Sequence, residues 1–211
     1  MVLFPRRSAS SLLAISLLCA ILVLLLSCER PEKAAPALPG GQVESHGEAG
    51  EGSHPRTGPR PAPVGMDPSG QLHPGEGDRC PVCAMVVQGH PQFVCGIQLH
   101  GGETFYFCAP GCLIRSWLHP EVFLGVDRKE LKRAVVQDYF SGQHIDASTV
   151  IWVAGSDVVG PMGPAVVPLQ HEQDVEAFRS RHGGRTIFRL AELDDSKWEG
   201  ITGKKVLPEP P

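Results

Sequence analysis

Aromatic side chains are scarce, 6% of the chain, and none occurs between Glu29 and Pro74. That stretch, in which 17 of 46 residues are proline or glycine, has too little apolar surface to offset the entropy of ordering it. Composition therefore reads it as a flexible tether. Charge is also thin: charged residues make up 20% of the chain and the formal net charge is −4. Beyond Asp78 acidic and basic residues nearly balance, and no basic stretch interleaved with aromatics invites nucleic acid. No Ser, His and Asp arrangement, phosphate loop or dinucleotide signature is present, so an enzyme has little support. The longest apolar run, Leu12 to Leu26 broken only by Ser16, falls short of the roughly 20 residues of a comfortable membrane span.

That run follows Arg6 and Arg7 and ends in Leu25-Leu26-Ser27-Cys28. A charged start, an apolar middle and a small-residue processing site make a cleaved signal peptide over residues 1–27. The Leu-Leu-Ser-Cys ending resembles a bacterial lipobox. This implies that Cys28 becomes the acylated N-terminus of a lipoprotein held at a membrane and facing the periplasm or another extracytoplasmic space. The expected organisation is a signal peptide (1–27), a disordered tether (28–77) and a folded domain (78–211). His46, His54 and His73 lie in the tether and read as solvated side chains.

The folded part reads as one unit written twice. Phe93 to Leu99 and Glu103 to Phe107 are β-prone and separated by Gly101-Gly102, a hairpin signal. Pro110 to Leu118 has helical spacing with an apolar side of Leu113, Ile114 and Trp117, and Arg133 to Phe140 returns to strand character. In the second half Thr149 to Ala154 and Ala165 to Leu169 are β-prone around a glycine-rich loop. Glu172 to His182 is a helix closed by Gly183-Gly184, and Arg185 to Leu190 is strand-like. Both halves, about 78–142 and 143–195, run β, β, α, β. The expectation is an α+β fold of two similar small ββαβ halves in one compact domain.

Cysteine is where the chemistry concentrates. Of seven cysteines, Cys19 and Cys28 belong to the signal region, leaving Cys80, Cys83, Cys95, Cys108 and Cys112. Five is odd, so disulfides alone leave a thiol over. Cys80-Pro81-Val82-Cys83 and Cys108-Ala109-Pro110-Gly111-Cys112 together have the spacing of a structural zinc knuckle. Structural disulfides are a second reading, favoured by an oxidising compartment. A thiol–disulfide oxidoreductase is a remote third, because Cys83 precedes a strand instead of opening a long helix. The fourth is a soft-metal site, favoured by Met85 two residues after Cys83 and by Met162 in the loop Gly160-Pro161-Met162-Gly163. Thioethers and thiolates select Cu(I). Cys83, Met85 and Met162 then form a three-sulfur Cu(I) site if the two halves face each other. Cys80, Cys108 and Cys112 are left for a second metal, Zn(II), or for a disulfide.

Cys80 to Met85, Tyr106 to Cys112, Tyr139-Phe140-Ser141-Gly142 with Ile145-Asp146-Ala147, and Gly155-Ser156 with Gly160 to Gly163 together resemble the NosL family of nitrous oxide reductase accessory lipoproteins. The resemblance covers about Arg79 to Leu193. It implies a fold of two ββαβ halves and a Cu(I) metallochaperone outside the cytoplasm that delivers copper for assembly of the reductase copper centres. The implied partners are the apo reductase and an ABC-type membrane complex. It places the family's Cys-x-Met on Cys83 and Met85 and its Met-Gly loop on Met162 and Gly163. Two departures stand out. Ala84 occupies a position where the family often has glycine, and many members lack a pair corresponding to Cys108 and Cys112. Other polar candidates read as structural: Asp138 and Asp146 as turn caps, His144 and His171 as surface histidines. Trp117 and Phe178 read as core residues.

Overall fold

The computed structural model describes residues 58–207. Residues 1–57, where a signal peptide and most of a tether are expected, lie outside the described residues together with Cys28, His46 and His54. Among the described residues no helix is long and apolar enough to cross a membrane.

The first half is built on strands β1 (Cys95–Leu99) and β2 (Thr104–Phe107), paired antiparallel with Cys95 opposite Phe107. Gly102, at φ 95°, supplies the left-handed turn residue between them. Pro110 opens helix α1 (Pro110–Leu118), where its missing N–H costs nothing. This helix buries Cys112, Leu113, Ile114 and Ser116, and a short helix α2 (Pro120–Phe123) follows. Strand β3 (Leu131–Gln137) returns beside β1, and β4 (His144–Asp146) completes a sheet in the order β2-β1-β3-β4.

Every residue of β1 and β2 is buried, so both faces of this part of the sheet are covered. The residues ahead of the first cysteine contribute to that cover. Met66 and Leu72 are both buried in the main core. Gly96 lets them approach, since a Cβ there would sit 3.1 Å from Leu72 and 3.2 Å from Met66. Composition assigns residues 28–77 to the tether, yet 58–77 pack on the domain. Two apolar anchors suffice, with polar ties such as Ala62 N–H to the Thr104 carbonyl at 2.8 Å and His73 N–H to the Tyr106 hydroxyl at 3.1 Å.

The second half repeats the plan. Strand β5 (Ile151–Ser156) is central in the order β8-β5-β9, with β8 (Val167–Leu169) on one side and β9 (Gly183–Phe188) on the other. Helix α3 (Glu172–His182) lies between them in sequence, as α1 does between β2 and β3. A two-stranded ribbon, β6 (Val159–Gly160) and β7 (Gly163–Pro164), carries Pro161-Met162 at its tip. Helix α4 (Asp195–Thr202) follows the repeat and is capped by the Asp194 carboxylate, which accepts the Lys197 N–H at 2.7 Å.

Strand alternation divides β5 between two cores. Val153 joins Val167, Leu169 and Phe178 in a small cluster under α3, while Trp152 and Ala154 join the main core with the first half. Asp138 ties the halves together at their junction. Its buried carboxylate accepts the Ser141 N–H and hydroxyl at 2.8 and 2.7 Å and the Gln170 N–H at 2.8 Å. Burial would push this carboxyl up, but the Ser141 and Gln170 bonds outweigh it and hold the pKa below the ordinary value.

Candidate metal centre

The first cysteine arm is a tight knuckle. The Ala84 N–H reaches the Cys80 carbonyl at 2.8 Å, and the Cys80 N–H reaches the Met85 carbonyl at 2.9 Å, folding the six residues back on themselves. A single bridge between Arg79 and Val86 closes the base, and the Arg79 guanidinium donates to the Ala84 carbonyl at 3.1 Å. Ala84 has φ 60°, the one positive φ outside glycine among the described residues. The turn therefore needs the backbone conformation that glycine adopts freely, and alanine holds it at a cost of about 1–2 kcal/mol.

The second arm comes from the other end of the hairpin. Cys108 follows the last residue of β2, and Cys112 lies in the first turn of α1, where its N–H meets the Ala109 carbonyl at 3.0 Å. The Sγ atoms of Cys80, Cys83, Cys108 and Cys112 all lie within 4.8 Å of one another. One sulfur pair, Cys83 and Cys108 at 3.3 Å, crosses between the arms. All are free thiols. Cys80, Cys108 and Cys112 are buried, and Cys83 alone reaches partway to the surface.

The Cys80 thiol is shifted below its ordinary value, foremost because the Cys108 and Cys112 thiols donate to it, and the Cys108 and Val82 backbone N–H groups help them outweigh burial. Cys112 moves the opposite way, pushed up by its bonds to Cys108 and Cys80, by burial and by the Cys80 charge. For Cys108 the Cys112 bond works downward, but the Cys80 bond, burial and charge prevail and push it up. A cation entering the cluster replaces the protons that the thiols now share. Cys95, the fifth thiol, is fully buried in β1 and is kept protonated foremost by that burial.

The two methionines are differently placed. Met85, on the knuckle, is 38% exposed, and Met162, at the ribbon tip, is 40% exposed. Exposed thioethers forgo packing and remain open to a metal or a partner. Met162 borders a cavity of about 200 Å³ whose wall also includes Phe93, Pro110, Cys112, Arg185 and Trp198. The structure thus brings Cys83 together with Cys80, Cys108 and Cys112, and it sets Met162 and Cys112 around one cavity. Cys83 and Met85 are not on that wall.

The remaining sequence candidates take structural roles. Asp146 caps a turn by accepting the Ser148 N–H at 2.8 Å. His144 is partly buried and accepts the Leu72 N–H at 3.2 Å, so it anchors the segment before the first cysteine. His73 lies 3.6 Å from the Asp67 carboxylate, and His171 is the exposed N-cap of α3. Sequence reasoning passed over α4 and Trp198. The Asp194 cap and Gly203 at the end were its only local signals.

The sequence model of the NosL family matches residues 71–198. The copper-binding lipoprotein NosL of Stutzerimonas stutzeri is 30% identical over 125 residues, 57% of this chain and 64% of its own length. The chain therefore spans somewhat under two thirds of that curated relative. Among solved structures, the crystal structure of the copper chaperone NosL from Shewanella denitrificans superposes with a TM-score of 0.52 at 22% identity. It covers 61% of this chain and 99% of the other. That likeness is one of fold, and it agrees with the two ββαβ halves.

Proposed function

The chain belongs to the NosL family, and from that premise we propose that it is a membrane-tethered, extracytoplasmic Cu(I) carrier that delivers copper for the assembly of nitrous oxide reductase. It is a carrier, not an enzyme. The observation that supports this reading most is the placement of Cys83. It is the one cluster thiol that reaches the surface, and exposed Met85 follows it by two residues. Cys83 and Met85, joined by Met162 from the ribbon of the second half, supply the exchangeable copper ligands.

The chemistry suits transfer. Thioethers bind Cu(I) without losing a proton, a single thiolate raises the affinity, and three-coordination leaves a face open to a ligand of the recipient. Acylation of Cys28 keeps the carrier at the membrane, where its local concentration near the recipient is high. The reductase and an ABC-type membrane complex are the proposed partners.

Anaerobic titration of the mature chain with Cu(I) against a chromophoric chelator tests the reading. Cys83→Ser and Met162→Ala are each expected to lower Cu(I) affinity by at least about tenfold, that is by about 1.4 kcal/mol or more, with the fold intact by circular dichroism. Full affinity in Met162→Ala would remove the second half from the site.

A further inference from the structure

The copper reading uses one thiol of the cluster and leaves three buried thiols without a task. We infer that Cys80, Cys83, Cys108 and Cys112 form a tetrathiolate site for Zn(II), whose role is to pin the irregular segment leading into the knuckle onto the β2–α1 corner. The site rests on the family assignment in no respect.

Geometry is the first argument. Zn(II) bound to four cysteines at about 2.3 Å sets its sulfur atoms about 3.8 Å apart. The four Sγ atoms are already mutually within 4.8 Å, with one pair at 3.3 Å, so closing on an ion needs only small side-chain shifts. Because these sulfurs are mutual neighbours, the arrangement resembles a ligand set more than two separate disulfide pairs. Three of the four are buried, the closed donor shell of a structural site. Zn(II) uses all four thiolates in one tetrahedron, whereas Cu(I) is satisfied by two or three of them.

Local architecture is the second. From residue 58 to the knuckle there is no helix or strand, only the isolated Arg79–Val86 bridge and scattered hydrogen bonds. The knuckle bears two ligands, and the second arm joins a buried strand to a buried helix start. An ion shared by the arms crosslinks residues 80 and 83 to residues 108 and 112, a covalent-like clip where regular structure is absent. Cys83 belongs to both donor sets, so bound zinc is expected to compete with Cu(I) for it.

Co(II) titration of the metal-free, reduced mature chain provides the test. The expected result is one equivalent bound, with the intense visible bands of tetrahedral cobalt and sulfur-to-metal charge transfer in the near ultraviolet, both displaced by one equivalent of Zn(II). Weak, octahedral-type bands would overturn the site. In hydrogen exchange, zinc removal is expected to expose amides of Cys80–Met85 and Cys108–Cys112 while β8 and β9 keep their protection. Unchanged exchange at the knuckle would overturn the pinning role. Cys108→Ser is expected to abolish the cobalt bands while retaining Cu(I) binding, whereas Met162→Ala is expected to do the reverse. Undiminished Cu(I) binding in Met162→Ala, with intact cobalt bands, would therefore count against the carrier reading and leave the zinc site standing.

Discussion

The two halves share a plan and differ in what they do with it. In each, the first strand is central, the second and third flank it antiparallel, and a helix precedes the third; each central strand also shifts register against that third strand, at Gln98/Leu99 and at Ala154/Ser156. In the first half β1 and β2 are buried throughout, and four thiols gather where β2 meets α1. In the second, α3 buries only Phe178, β9 is exposed at alternate positions, and an insertion between β5 and β8 becomes the ribbon that holds out Met162. One copy of the unit is specialised for enclosing sulfur ligands and the other for presenting one. The copper site proposed above would draw a ligand from each half, Cys83 with Met85 from the first and Met162 from the second.

The sharpest way to break this comparison is to empty the smaller core. Phe178→Ala is expected to destabilise the protein by about 3–5 kcal/mol, seen in chemical denaturation. Exchange should accelerate in β8 and β9 while metal binding at the knuckle persists. If the knuckle loses its metal as well, the halves are not separable.

A smaller effect is expected at the junction. Asp138→Asn leaves hydrogen bonds from Ser141 and Gln170 poorly matched and is expected to cost about 1–3 kcal/mol. Its pH dependence has a definite sign. The folded pKa of Asp138 is depressed, so its contribution is complete above the ordinary carboxyl pKa and disappears as pH falls through the lower folded value. Stability curves of wild type and Asp138→Asn should therefore converge on acidification. A constant gap down to acid pH would mean that the loss comes from packing and not from the charged form.

The smallest effect belongs to the knuckle itself. Ala84→Gly relieves a positive φ and is expected to stabilise the reduced, metal-free chain by about 1 kcal/mol. Thermal melting measures it, and a lower melting temperature would show that the added freedom of the unfolded glycine outweighs the relief.

Much of this was legible in the sequence. Helices α1 and α3 were read at their observed bounds because Pro110 and Gly183-Gly184 punctuate them. The cysteine set was legible from spacing alone, and the competing zinc knuckle was visible in it. The packing of 58–77 was not, since Met66 and Leu72 are two anchors in a proline-rich stretch and leave no periodicity. The cavity that joins Met162 to Cys112 was also hidden, because it arises between elements some fifty residues apart. Spacing likewise suggested strands that begin too early: Pro91 turns residues Pro91–Phe93 into a 3-10 helix, and β1 starts at Cys95.

X-ray absorption at the copper edge of the Cu(I)-loaded, zinc-replete mature chain tests the central claim most directly. A shell of about three sulfur neighbours, reduced by one in Met162→Ala, is the result expected of a carrier site shared between the halves. A sulfur shell unchanged by Met162→Ala, with zinc displaced on copper loading, would place copper inside the four-cysteine knuckle and contradict it.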